Sequence, residues 1–135
     1  MTKPVLELDG DAIETLETFY DEVERKLIPG VFWGRNVHAF NDILRGGFGT
    51  PEGGFVLRWV NSARSRTRLG FPETVRHIEE NLRRCHPSNV ASVRADLEAA
   101  RRGEGQTLFD IIVDIIRVHG VGGEEHGDGV ELELA

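Results

Sequence analysis

Three short runs with the patterning of β-strands limit what this chain can fold into: VLELDG (Val5–Gly10), FVLRWV (Phe55–Val60) and the tail GVELELA (Gly129–Ala135). The first and last alternate apolar with acidic residues, and the middle one is rich in β-branched and aromatic side chains. Long stretches with helical patterning separate them. A hairpin needs only a few residues between strands, whereas a helical crossover returns the chain to the same end of the sheet and makes neighbours parallel. The expected fold is therefore α/β, a small three-stranded parallel sheet packed with helices.

The helical stretches have their own punctuation. Ile13, Leu16, Phe19 or Tyr20, Val23 and Leu27 recur at helical spacing, with Asp11 expected as the N-cap and Pro29-Gly30 as the stop. Val75, Ile78, Leu82 and Cys85 mark a second helix, and Val90, Val93, Leu97 and Ala100 a third, with Pro87-Ser88 between them. Thr107 is placed to cap LFDIIVDIIRVHG, whose Asp110, Asp114 and Arg117 form one polar stripe on an otherwise apolar helix. That composition predicts deep burial.

Charge divides the chain. The formal net charge is −7, yet residues 31–103 are basic and both ends are acidic. Acidic ends argue against general nucleic-acid binding, and the basic middle leaves an arginine-rich regulatory or nucleic-acid-associated module as the alternative. The single cysteine excludes an intramolecular disulfide framework, and no apolar run reaches membrane-spanning length. A cytoplasmic protein is expected.

No set of residues converges on enzyme chemistry. Cys85 and His86 are adjacent, so on a helix they point about a hundred degrees apart, and Cys85 continues an apolar stripe. GGFGTPEGG has glycines but lacks the lysine and helix start of a phosphate loop. The tail gathers His119, Glu124, Glu125, His126 and Asp128 in a glycine-rich loop. These are metal-ligating residue types, but the sequence offers no ordered scaffold for them, so no metal or cofactor is assigned.

The stretch GVFWGRNVHAFNDILRGG (Gly30–Gly47) is more informative. Asn36 can cap a helix beginning at Val37, with Val37, Phe40 and Leu44 buried and Gly46-Gly47 ending it. His38, Asn41, Asp42 and Arg45 would then project outwards beside Phe32 and Trp33. A rigid helix offering a carboxylate, flanked by aromatics and by a bend at Gly34, has the anatomy of a protein-binding anchor. Burial of Phe32 and Trp33 in the core fits the composition equally well.

IPGVFWGRNVHAFNDILRGG resembles the binding loop and second helix of the barstar family, intracellular inhibitors of ribonucleases. The family pattern is an aromatic pair, glycine, any residue, asparagine, an apolar residue, aspartate, alanine, two further residues and aspartate. It falls on Phe32, Trp33, Gly34, Arg35, Asn36, Val37, His38, Ala39, Phe40, Asn41 and Asp42. The likeness extends to the first strand and helix, to FVLRWVNS and to the last helix and strand. It implies one barstar-like domain over residues 1–135, with an enlarged helical insertion at about 70–105.

The resemblance also implies a function: not an enzyme, but an immunity protein or antitoxin. Phe32, Trp33, Gly34, Asn36, Val37, His38, Asn41, Asp42, Arg45 and Gly46 would enter the active site of a ribonuclease or other nuclease toxin. Asp42 would occupy the place of an RNA phosphate, accepting charge-assisted hydrogen bonds from catalytic bases. Such an anchor requires Trp33 to be at least partly accessible. This chain departs from the family at His38, where a second aspartate is usual, and at Asn41, which replaces a tryptophan. Ile115 stands where a binding glutamate is usual, and Arg35 and Arg45 add positive charge. These departures point to a nuclease other than barnase itself.

Overall fold

The computed structural model of the protein describes residues 3–135. Strand β1 (Val5–Asp9) is followed by α1 (Leu16–Leu27), α2 (Val37–Arg45) and β2 (Phe55–Val60). Helices α3 (Ser62–Arg68), α4 (Phe71–Arg84), α5 (Val90–Arg101) and α6 (Leu108–Val118) then lead to β3 (Val130–Leu134). The sheet order is β1-β2-β3, and both pairings are parallel. The α/β fold with a three-stranded parallel sheet is the one the strand spacing requires.

The sheet is two-faced. Leu8, Phe55, Leu57, Trp59 and Val130 point into the core, where residues of α1, α2 and α6 meet them. The other face is wetter and carries an in-register charge triad, with Glu7 opposite Arg58 and Arg58 opposite Glu133. Arg58 lies 2.8 Å from Glu133 and 3.5 Å from Glu7. Parallel sheets are normally covered on both faces and read as continuous apolar runs. Here the alternation in VLELD and VELEL matches the one uncovered face.

One local expectation is corrected. The N-cap of α1 is Thr15, not Asp11: Thr15 and Thr18 exchange side-chain-to-backbone hydrogen bonds in a capping box. Asp11 lies earlier, in the single 3-10 turn Gly10–Ala12 that follows β1. The carboxylate of Glu73, from α4, also reaches this helix end and accepts from Leu16 N at 2.9 Å. A helix start satisfied from a distant element leaves no local signature.

Helix α3 matches no helical stretch expected from the sequence, because it lacks an apolar stripe. Its buried residues are Ser62 and Ser65. Trp59 Nε1 donates to Ser65 Oγ at 2.9 Å, and Ser65 Oγ in turn donates to Gly10 O at 3.3 Å. The inward face of α3 is thus held by hydrogen bonds, and hydrophobic periodicity cannot reveal such a helix.

The hairpin of α4 and α5 stands outside the main core. Val75, Ile78, Leu82 and Cys85 are only half-buried, while Leu97 and Ala100 are the buried residues of α5. The hairpin is tied to α6 through Thr74, whose hydroxyl accepts from Leu108 N at 2.9 Å.

Candidate functional site

The segment from Val31 to Asn36 has no regular structure, and its two aromatics part company. Phe32 is 96% exposed, whereas Trp33 is 5% exposed and belongs to the core. The expectation that Trp33 is accessible is therefore corrected. Its ring meets Tyr20 edge-on at 5.5 Å, a favoured aromatic geometry. Burial pushes the Tyr20 phenol up to about 12, so this contact is with a neutral ring across the physiological range. Trp33 Nε1 is buried with no hydrogen-bond partner.

Asn36 caps α2 as its residue type predicts, its side chain accepting from Ala39 N at 2.8 Å. Phe40, Ile43 and Leu44 form the buried stripe, while Val37 is only half-buried. Val37 rims a groove of about 390 Å³ that it shares with α4, α5 and the start of α6. Gly46 closes the helix at φ 104°, a conformation that L side chains rarely adopt.

Three of the four side chains expected to face outwards do so: His38, Asp42 and Arg45 are exposed. Asn41 is corrected. It is half-buried, and its Oδ1 lies 2.6 Å from Nε2 of the fully buried His119. The other ring nitrogen of His119 lies 2.6 Å from Asp128 Oδ2. Asn41 therefore joins the helix to the C-terminal loop.

That loop also brings Glu125 to the exposed face. Arg45 Nε donates to Glu125 Oε1 at 2.8 Å, and Arg45 Nη1 donates to Asp42 Oδ1, also at 2.8 Å. Glu125 raises the pKa of Arg45, with Asp42 adding to the effect, so the guanidinium stays charged between two carboxylates. Glu125 lies in the tail of the sequence, and only the fold brings it to α2. Arg35, by contrast, points its charge away, pairing with Asp21 and Glu24 of α1 at 2.6 and 3.7 Å. Arg35 also has a φ of 50°, a left-handed conformation uncommon for a non-glycine residue, directly before the cap.

The arginines of the middle segment are largely engaged. Arg58 and Arg64 are in ion pairs, and Arg76 contacts Glu17, Glu73 and Glu80. Arg68 donates to backbone carbonyls at Asp11 and Ile13, and Arg66 lies 4.8 Å over the Phe109 ring. Arg83 and Arg84 are left at the exposed end of α4.

Residues 3–108 match the family model for barstar, the barnase inhibitor. The chain belongs to the barstar family. The match takes in β1, α1, the whole of the Phe32–Gly47 segment, β2 and α3 to α5, and ends at the first residue of α6. No curated protein matches the chain. Barstar-family proteins are inhibitors and not enzymes. Among the described residues, no helix is long and apolar enough to cross a membrane.

Proposed function

We propose that this barstar-family protein binds and blocks a ribonuclease or related nuclease toxin, as an immunity protein or antitoxin of the cytoplasm. The loop and helix at residues 32–47 would enter the enzyme's active site. The observation that carries the reading is Asp42, an exposed carboxylate on a short helix capped at both ends, within a segment that matches the family. A ribonuclease active site is a cluster of cations built to hold phosphate. A preorganised carboxylate can take that place at little entropic cost.

The contact surface in this reading is Phe32, Gly34, Asn36, Val37, His38, Asp42, Arg45 and Gly46, joined by Glu125. Trp33 and Asn41 support it from behind. Phe32 supplies the anchor that excludes water, and the Asp42–Arg45–Glu125 chain supplies charge. We take residues 1–135 as one barstar-like domain whose α4–α5 hairpin is an insertion at about 70–105, and direct nucleic-acid binding is not part of its role. The test is inhibition of RNA cleavage by barnase and by nuclease toxins encoded beside the gene. Stoichiometric inhibition of one of them supports the reading, and inhibition that survives Asp42→Ala unaltered contradicts it.

A further inference from the structure

The C-terminal loop holds a cluster of which the proposed contact surface uses only Glu125. His119 Nδ1, Glu125 and Asp128 bring one ligand atom each to within 4.8 Å of one another. His119 Nδ1 lies 2.6 Å from Asp128 Oδ2 and 3.8 Å from Glu125 Oε2. We propose that these three side chains bind a divalent transition-metal ion, zinc or manganese, and that the ion fastens the C-terminal loop to the helix carrying Asp42.

Backbone hydrogen bonds fix the shape of the loop, which the sequence does not reveal. Glu125 N donates to Val118 O at 2.9 Å, Asp128 N to Glu125 O at 3.1 Å, and Val130 N to His119 O at 3.0 Å. Gly123 packs so close to the end of α6 that a Cβ there would lie 2.2 Å from Val118 O. Only glycine permits that approach, and it folds Glu125 back over His119. The ligands thus sit on a fixed turn whose two ends are pinned to α6 and β3.

The surroundings have the form of a metal site's outer shell. A ligating histidine usually donates its second ring N–H to a carbonyl or carboxylate, which fixes the tautomer. With Nδ1 turned to the carboxylates, Nε2–H donates to Asn41 Oδ1 at 2.6 Å. Arg45 holds Glu125 from behind, Nε donating to Oε1 at 2.8 Å and Nη2 to Oε2 at 3.2 Å. The lone pairs of Glu125 that Arg45 leaves free remain available to an ion. His119 is fully buried, while Glu125 and Asp128 are part-exposed, so water can fill the remaining coordination positions.

Charge and ligand type select the ion. With a neutral imidazole, Asp42, Glu125 and Asp128 against Arg45 leave two net negative charges, which a divalent cation neutralises. One imidazole with two carboxylates suits zinc or manganese better than magnesium or calcium, which prefer all-oxygen shells. Ligands about 2.1 Å from an ion stand about 3 Å apart, so binding widens the 2.6 Å His119–Asp128 contact slightly and draws Glu125 in from 3.8 Å.

The test uses the whole purified chain with Zn2+, Mn2+ and Mg2+ alone, by calorimetry and by 15N shifts of the histidine rings. Saturable uptake of one Zn2+ or Mn2+ is expected, with the largest shift at His119 Nδ1 and no uptake of Mg2+. Glu125→Gln and Asp128→Asn should each weaken uptake at least about tenfold. Asn41→Leu should weaken it roughly 10- to 100-fold through the outer shell. His126→Ala, on the exposed side of the loop, should leave it unchanged. The wild-type spectra stand whatever the variants do. No saturable uptake, an Nδ1 signal that does not move, or uptake lost in His126→Ala but kept in Glu125→Gln overturns the proposal. Inhibition of a nuclease is not among these readouts, so the two readings fail separately.

Discussion

Trp33 meets Tyr20 edge-on, with ring centroids 5.5 Å apart and planes at 86°, while its neighbour Phe32 is almost wholly in solvent. Adjacent residues of an extended segment point to opposite sides, so one aromatic pins the loop to the core and leaves the other displayed. A single peptide bond thereby separates the buried aromatic from the one that the proposed contact surface displays.

That separation is measurable by urea unfolding. Trp33→Ala removes a buried aromatic and is expected to cost about 3–5 kcal/mol. Phe32→Ala should stay within about 0.5 kcal/mol of the parent, because an exposed side chain leaves no cavity. With Trp59→Phe as background, iodide should quench Trp33 fluorescence poorly. Ready quenching would show that the loop opens in solution.

Asp42→Ala is expected to weaken binding to the cognate nuclease by at least about a hundredfold, since the enzyme's cations would be left buried without a partner. Thermal stability should barely change, because Asp42 is exposed and its pairing with Arg45 is a surface contact. Surface plasmon resonance beside a thermal melt separates the two effects. Comparable losses in both would place Asp42 in the fold instead of the interface.

Arg45 stands between Asp42 and Glu125 and cancels part of the field that would steer a basic enzyme. Arg45→Gln should therefore raise the association rate at low salt, and the gain should fade as ionic strength rises. Stopped-flow mixing at two salt concentrations reads this directly. A slower rate at low salt would instead mean that Arg45 is attracted to an acidic group of the partner.

Burial lowers the pKa of His77 below the ordinary histidine value, although neighbouring Glu80 opposes the shift. Its folded pKa is thus depressed, and the unfolded chain takes up the proton first as pH falls. The stability due to neutral His77 is present above the unfolded value of about 6.5 and is lost as pH drops through and below it. His77→Gln should flatten the stability profile between about pH 7 and pH 5. An unchanged slope in urea titrations would exclude His77 as a source of acid sensitivity.

The sequence by itself determined the three strands, their parallel pairing, the Asn36 cap and the Thr107 cap, because each rests on local pattern or connection length. Alternation in VLELD and VELEL shows which side chains share a face, and the long crossovers leave parallel pairing as the plain solution. The family motif likewise lies in one continuous segment. Tertiary structure decided what depends on atoms far apart in the chain. Glu73 satisfies the start of α1 from 57 residues away, and His119 reaches Asn41 across 78. Helix α3 turns serines to the core because Trp59 Nε1 needs an acceptor there. Which of Phe32 and Trp33 faces solvent was equally open, since composition ranks them alike. Tyr20 and the packed core beneath the loop admit only one of them. A hydrogen bond or ring contact between distant residues imposes no periodicity on either segment, so only the folded chain reveals it.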